Sequence, residues 1–144
     1  MKSGKNPCSG YGLLTMQPQT HPSVSPGLVG EPVELSAGKA SARLQTSRVM
    51  CVDERGLVHG GFTFGLADYA AMLAVNDPHV VLGGAETKFL APVRCGEVML
   101  ATAEVSEEKG RKRLVRCRVL VGEKTVFEGN FVCFVLDSHV LDQG

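Results

Sequence analysis

The sequence predicts an α+β domain in which a curved antiparallel sheet of about five strands wraps around one long central helix. Two observations carry this prediction. Residues 62–75 form a helical segment that is apolar on nearly every side, and such a helix must be buried all round. Five other segments have the pattern of strands, and the clearest of them alternate between polar and apolar residues, as half-buried strands do.

The first predicted strand precedes the helix. After residue 34, apolar positions alternate with polar ones; the positions on the buried face are Ala40, Ala42, Leu44 and Thr46. The helix then follows the pair Gly60 and Gly61, and Asn76-Asp77-Pro78 gives it a C-terminal stop signal.

Four further strands are predicted after the helix, arranged as a meander. They cover residues 79–93, 96–108, 112–122 and 124–137. Short turns at Lys109-Gly110 and Gly122-Glu123 separate the last three. Cys117 and Cys133 fall in the apolar positions of two strands and are predicted to be small core residues.

The chain is predicted to divide into a loosely ordered N-terminal arm, residues 1–30, and one folded domain, residues 31–144. The arm is rich in Gly, Pro and Ser, and its prolines forbid long regular structure. The alternative for residues 11–16 of this arm is a short helical turn that docks on the folded domain. A chain of 144 residues is long enough for one domain with a real core.

Composition argues against several classes of protein. The formal net charge is zero, so nothing drives the chain electrostatically toward nucleic acid or an anionic membrane. No apolar stretch has the length of a membrane span, and the N-terminal residues do not have the pattern expected of a secretory signal. The five cysteines are widely spaced, which argues against a zinc site. Free thiols without a signal sequence predict a cytoplasmic location.

Two blocks of the sequence resemble a known family. HGGFTFGLAD, residues 59–68, and ETKFLAPVRCGE, residues 86–97, are similar to segments of the hotdog-fold acyl-CoA thioesterases of the phenylacetyl-CoA thioesterase type. The resemblance covers roughly residues 34–137. It implies a hotdog-fold homodimer, and we expect at least a dimer, with paired dimers as the larger assembly. It also implies active sites at the subunit interface and thioester hydrolysis without a metal or other cofactor.

The resemblance also assigns roles to residues. It makes Asp68 the general base that activates a water, or else the nucleophile. It gives the backbone N–H of Gly60 the task of polarising the thioester carbonyl. Gly61 is a substrate-binding candidate on its own chemistry, because a glycine can bring its N–H close to a ligand. His59 matches a histidine that shapes this loop. Asp53 stands where the family often has Asn or Gln, and unlike an amide an ionised Asp cannot donate a hydrogen bond.

The chemistry of Asp68 and the two glycines supports these roles independently. A carboxylate among apolar residues must be hydrogen-bonded or have a raised pKa, and a raised pKa suits a general base near neutral pH. The alternative is a structural Asp bonded to backbone or to a partner subunit. Gly60 and Gly61 open a helix whose N-terminus favours a developing oxyanion. Their alternative is a tight strand-to-helix turn, and His59 is alternatively a base itself.

Further candidates lie on the later strands. Glu86 and Thr87 follow the helix on a strand that, in this fold, borders the acyl tunnel; the alternative is an ordinary surface strand. Arg113, Arg116 and Arg118 belong to a basic hairpin with the charge to hold the phosphates of coenzyme A; the alternative is a solvated strand edge guarded by charge. The other three histidines, His21, His79 and His139, are expected to be ordinary polar residues.

The function expected from the sequence is therefore hydrolysis of an acyl-CoA to a free acid and coenzyme A. The expected partners are the small-molecule substrate and further copies of the chain, without nucleic acid or membrane. A non-catalytic acyl-CoA-binding domain is the alternative, because residues 85–93 and 126–137 also resemble the ligand-sensing hotdog domain of a fatty-acid-synthesis repressor. Retention of the acid in the helix argues against that alternative.

Overall fold

The computed structural model describes residues 14–143, which form one helix and one six-stranded sheet. The strands are β1 (Glu31–Ser36), β2 (Lys39–Gln45), β3 (Val80–Phe89), β4 (Val98–Lys109), β5 (Lys112–Val121) and β6 (Lys124–Val135), and the helix is α1 (Gly60–Val75). Two short 3-10 turns are also present, Arg48–Met50 and Val140–Asp142. The predicted architecture, a curved antiparallel sheet around one long helix, is confirmed.

The sheet has the strand order β1-β2-β4-β5-β6-β3, and every neighbouring pair is antiparallel. It has one strand more than the five that were expected. The additional strand is β1, which forms a hairpin with β2 through Gly38, where φ is +75°. The alternation of polar and apolar residues in β1 is interrupted at Pro32 and at a register shift between Pro32 and Glu34. Proline weakens the sequence signal of a strand and is found mainly in edge strands, so β1 was not predicted.

The predicted meander is correct for β4, β5 and β6 and wrong for β3. β3 pairs with β6 at the far edge of the sheet, whereas β4 pairs with β2 from Lys39↔Glu104 to Gln45↔Val98. Alanines face one another in that β2–β4 pairing, Ala40 with Ala103 and Ala42 with Ala101, and all four are at most 3% exposed. Such small side chains leave room for a helix to lie close to the sheet.

Helix α1 begins two residues earlier than predicted. His59 is its N-cap, and the Nδ1 atom of that residue accepts a hydrogen bond from the Gly61 N–H at 2.7 Å. Asn76 ends the helix in the left-handed conformation, and its N–H donates to the Met72 carbonyl at 2.8 Å, as the predicted stop signal requires. Within residues 14–143, no helix is long and apolar enough to cross a membrane.

The core lies between α1 and the concave face of the sheet. Its largest buried side chains include Phe127 and Phe131, which pack against each other and against Phe64 of the helix. Cys117 and Cys133 are 1% and 0% exposed, so their prediction as core residues is confirmed. The turn Gly122-Glu123 also lies where it was predicted, whereas the β4–β5 turn is one residue later, at Gly110-Arg111.

Part of the segment before β1 packs on the domain. Leu14 and Thr20 are buried, and the Thr15 hydroxyl donates to the Leu35 carbonyl at 2.5 Å. Asn76 also holds this segment, since its side chain accepts from the Gln19 N–H at 2.7 Å. Residues 1–13 of the predicted arm lie outside the described residues, and the domain boundary at residue 30 stays a prediction.

We expect Phe131→Ala to lower the free energy of unfolding by about 3–5 kcal/mol, because truncating a buried Phe removes apolar burial and leaves a cavity. Urea denaturation at a fixed protein concentration measures the change. Val49→Ala is the control, since the Val49 side chain is 74% exposed. This variant should unfold at nearly the same urea concentration as wild type. Equal midpoints for Phe131→Ala and the control would contradict the packing described above.

Candidate functional site

Asp68 lies in the middle of α1, where most neighbouring positions are buried. Its Oδ1 atom is buried and has no hydrogen-bond partner among residues 14–143. Burial raises the pKa of the Asp68 carboxyl to about 6. A carboxyl with this pKa exchanges a proton near neutral pH, which is the property that a general base needs.

Asp68 lines a cavity of about 690 Å³ between the helix, the start of β3 and both ends of the described chain. Three histidines line the same cavity: His21, His79 and His139. That they are ordinary polar residues stays a prediction, and their shared position in one cavity was not expected. No local pattern could have revealed it, because they are far apart in the sequence. Among the described residues, no cluster of His, Cys, Asp and Glu is placed to hold a metal ion.

Two buried thiols lie near Asp68 on the sheet side. Burial raises the pKa of Cys117 and of Cys133 to about 12, and the negative charge of Asp68 adds to both shifts. The Cys117 sulfur lies 3.6 Å from the Ala67 carbonyl oxygen. Both thiols therefore stay protonated at neutral pH, and a thiolate nucleophile is not available from them.

The two glycines at the N-terminus of α1 differ in what their N–H groups do. The Gly61 N–H is engaged by the His59 side chain. The Gly60 N–H makes no hydrogen bond within the part of the chain that the structure describes. Since the Nδ1 atom of His59 accepts this bond, a neutral His59 carries its proton on Nε2. His59 thus braces the loop and leaves one N–H, that of Gly60, for a ligand.

Gly60 lies against the end of β3 in a cavity of its own. A Cβ atom at Gly60 would lie 3.0 Å from the Phe89 ring, and both residues line a cavity of about 290 Å³. Asp68 is absent from that lining. Asp68 lies eight positions after Gly60, which corresponds to about 12 Å along a helix. Within one copy of the chain, the two groups therefore line different cavities.

Asp53 has a local role in the loop before the helix. Its Oδ1 atom accepts hydrogen bonds from the Arg55 N–H at 3.0 Å and the Leu57 N–H at 3.2 Å. These bonds form the kind of turn that Asp commonly stabilises. Asp53 is exposed and lines neither the cavity of Asp68 nor that of Gly60.

Glu86 and Thr87 occupy opposite faces of β3, as neighbours on a strand must. Thr87 lies opposite Gly129. A Cβ atom added to Gly129 would be 2.9 Å from the Thr87 methyl group. Glu86 lies opposite Asn130 and is exposed. Neither residue lines the cavity that contains Asp68.

The three arginines of the basic hairpin do not form one cluster. Arg113 lies opposite Cys133, on the face of β5 that the helix covers, and donates to the Gly110 carbonyl at 2.7 Å. Arg116 and Arg118 lie on the other face and line a cavity of about 900 Å³ between β1, β2, β4 and β5. The period of two along a strand separates them, so the expectation of one joint patch is wrong. Phosphate binding by any of them stays a prediction.

Comparison with known proteins identifies relatives of the whole domain. The model of a family described as the thioesterase superfamily matches residues 55–128. The crystal structure of protein PH1136 from Pyrococcus horikoshii has a TM-score of 0.87 and 52% identity, covering 88% of this chain and 98% of that one. The structure of a point mutant of the phenylacetic acid degradation protein PaaI from Thermus thermophilus has a TM-score of 0.69 and 26% identity, covering 76% and 95%. The resemblance to hotdog-fold thioesterases is thereby confirmed.

Two curated relatives are larger proteins. A methylthioribose-1-phosphate isomerase of Aquifex aeolicus is 48% identical over 123 residues, which are 85% of this chain and 27% of that protein. The transcription factor FapR of Caldanaerobacter subterraneus subsp. tengcongensis is 30% identical over 115 residues, which are 79% and 58%. The chain therefore spans about a quarter of the first relative and somewhat more than half of the second.

We expect Asp68→Asn to stabilise the protein more at pH 7.5 than at pH 4. The folded-state pKa of about 6 lies above the ordinary 3.8, so the folded protein binds the proton more tightly than the unfolded chain between those values. The tighter proton binding stabilises the folded wild-type protein fully below pH 3.8, and this stabilisation is lost as the pH rises through 6. The loss lowers the free energy of unfolding of wild type by up to roughly 3 kcal/mol, and Asp68→Asn does not suffer it. Thermal unfolding midpoints of both proteins across this range measure the difference.

Asp137→Asn is the matched control, because the Asp137 carboxylate is exposed and the Arg111 guanidinium, 2.6 Å away, lowers its pKa. The Asp137 carboxylate stabilises the folded protein above its unfolded pKa, and this stabilisation is lost on acidification. Asp137→Asn should therefore not become more stable relative to wild type as the pH rises. A pH-independent difference between Asp68→Asn and wild type would show that Asp68 has an ordinary pKa.

Proposed function

The chain belongs to the thioesterase superfamily, and we propose on that premise that it hydrolyses an acyl-CoA to a free acid and coenzyme A. The observation that carries the proposal is the Asp68 carboxyl, which has an unpartnered buried oxygen and a pKa raised to about 6 beside a cavity. We place the reaction in the cytoplasm, as the free thiols suggest.

Asp68 acts in this proposal on the attacking water. The water oxygen forms a bond to the thioester carbonyl carbon while Asp68 accepts a water proton. The tetrahedral intermediate then breaks its carbon–sulfur bond, the thiolate of coenzyme A leaves, and the proton held by Asp68 is released to the thiolate or to solvent. Direct attack by the carboxylate, followed by hydrolysis of the resulting anhydride, is the alternative use of the same residue.

Gly60 stabilises the negative charge on the carbonyl oxygen in this proposal. Its N–H is at the first helical position, where the helix N-terminus carries partial positive charge. A donor placed at a carbonyl oxygen stabilises the negative charge that develops there in the transition state. Gly61 and His59 serve this donor indirectly, since their mutual hydrogen bond fixes the loop.

The separation of Gly60 from Asp68 supports a site built from two copies of the chain. Asp68 shares its cavity with the start of β3, whereas Gly60 contacts Phe89 at the end of β3. Two β3 strands paired antiparallel about a two-fold axis bring the start of one strand to the end of the other. Such pairing places the Asp68 of one copy near the Gly60 of its partner, twice per dimer.

The free side of β3 supports the same pairing. β3 is an edge strand of ten residues, Val80–Phe89, and in the described part of the chain it pairs with β6 along one side. Long, unprotected edges normally recruit another strand. Phe89 and Leu90 at its end are 56% and 49% exposed. We propose at least a dimer, with paired dimers as the larger assembly.

A non-catalytic acyl-CoA-binding domain is the second candidate. The 30% identity to the transcription factor FapR favours it. Both candidates predict acyl-CoA binding, and turnover decides between them. A panel of acyl-CoAs with detection of the released thiol is the experiment, and binding without release of coenzyme A would establish the second candidate.

We expect Asp68→Asn to lower kcat/KM about 100- to 10,000-fold, the usual loss when a positioned general base is removed. In wild type, kcat/KM should rise with pH to a plateau, with an apparent pKa near the value of about 6 for Asp68. Thiol release over a range of pH measures both, with Asp137→Asn as a control at wild-type rate. Equal rates for Asp68→Asn and wild type would remove Asp68 from the mechanism.

We expect Gly60→Pro and Asp68→Asn to complement each other in mixed dimers. Proline removes the N–H, adds a Cβ as part of its ring, and is well tolerated at the first helical position. The extended His59 before it is compatible with proline. After the two inactive variants are mixed, unfolded and refolded, half of the dimers are hybrids with one intact site of two. About one quarter of wild-type activity should return, by the symmetry of a two-fold site.

Gly60→Ala is the control for this experiment, because alanine keeps the N–H and adds the same Cβ near Phe89. It should retain most of the activity that Gly60→Pro loses. Sedimentation at micromolar concentration establishes the dimer independently. A monomer there, or no activity from the mixture, would overturn the composite site.

A further inference from the structure

We propose that His21, His79 and His139 form a subsite that donates imidazole N–H groups to an oxygen atom of the thioester substrate. All three line the cavity that contains Asp68. The inference deepens the proposed function, since it takes the ligand of that cavity to be a thioester. The ligand chemistry is a hydrogen-bond acceptor, and two parts of an acyl-CoA can supply it: a carboxylate or hydroxyl on the acyl group, or an amide carbonyl of the pantetheine arm.

His21 is held in place at a conformational cost. Its backbone has φ of +54°, a region that residues other than glycine seldom adopt and that is often retained at functional sites. Its Nδ1 atom lies 2.6 Å from the hydroxyl oxygen of the buried Thr20, and its ring packs 6.4 Å from that of Tyr69. Burial lowers the pKa of His21, which favours the neutral ring.

His139 presents a defined donor. Its Nδ1 atom accepts the Leu141 N–H at 3.0 Å, which makes it the cap of the last 3-10 turn. A neutral ring with an occupied Nδ1 lone pair carries its proton on Nε2. The Nε2–H therefore remains for a ligand. The His79 ring makes no hydrogen bond to any residue in the described range 14–143, so its ring N–H can also donate to a ligand.

The remaining wall of the cavity is largely apolar. Met72 lies one turn after Asp68 and is 1% exposed, and Val80, Leu82 and Val140 are among the other apolar residues of the lining. A site with an apolar wall and a few convergent donors selects a mainly apolar ligand with a placed acceptor. None of these donors is bonded to the Asp68 Oδ1 atom, which has no partner in the described residues.

Asparagine variants test the three donors while keeping their structural contacts. At His21, asparagine tolerates positive φ and can keep the bond to Thr20; at His139, it can keep the cap on Leu141. Each substitution removes the Nε2–H. We expect each to lower kcat/KM about three- to tenfold for a substrate that uses the subsite, as loss of one hydrogen bond does. His139→Gln, which restores an N–H near the Nε2 position, should recover much of the loss.

Matched substrates identify the source of the acceptor. Glutaryl-CoA and pentanoyl-CoA differ in the distal carboxylate, and an effect confined to glutaryl-CoA assigns the subsite to the acyl group. S-pentanoyl-pantetheine and S-ethyl thiopentanoate differ in the amides, and an effect on pantetheine and CoA esters alike, absent from the ethyl thioester, assigns it to the pantetheine arm. Either pattern supports the subsite.

Unchanged kcat/KM for every thioester in all three folded Asn variants would overturn it, with unchanged melting temperature as the check of folding. Calorimetric binding of glutaryl-CoA and of coenzyme A separates this outcome from failure of the proposed hydrolysis. If wild type binds without turnover and the Asn variants bind more weakly, the subsite stands and the hydrolysis does not. If wild type neither binds nor turns over these compounds, both are wrong.

Discussion

Burial of helix α1 against the concave face of the sheet is the constraint on which the rest of the structure depends. Nine of its residues are buried, so the segment has no stable position outside the sheet. The alanine pairs of β2 and β4 give it space, and Phe127 and Phe131 fill the other side. This packing takes the Asp68 carboxyl out of water without a partner for its Oδ1 atom, which raises the pKa of that carboxyl.

The same helix sets the geometry of the site. Its N-terminus exposes the Gly60 N–H and its middle carries Asp68, about two turns further along. Because the two groups line different cavities of one copy, the proposed chemistry combines them across two copies of the chain. In the proposal, that copy pairs along the edge of β3, because one end of this strand contacts Gly60 and the other end lines the Asp68 cavity. Assembly and catalysis are thus one problem in this proposal.

Much of the candidate site was open to prediction because its signals are local. Asp68 stands out as a single acid in an apolar helix, and the His-Gly-Gly run marks a helix N-terminus. The division of the arginines was also available in the sequence, since Arg113 differs in parity from Arg116 and Arg118 on a strand of period two. Treating the hairpin as one basic cluster overlooked that period. β1 escaped because Pro32 and a register shift obscure its alternation.

By itself, the sequence determined the fold class, the helix and its stop, the buried faces of the later strands, and the acid with its glycines, because each depends on residues close in the chain. Only the tertiary structure decided the place of β3 beside β6, its edge position in the described sheet, and the lining of one cavity by three histidines together with Asp68. Strand order and cavity lining join residues that are distant in the chain, and hydrophobic periodicity carries no record of which distant segments meet.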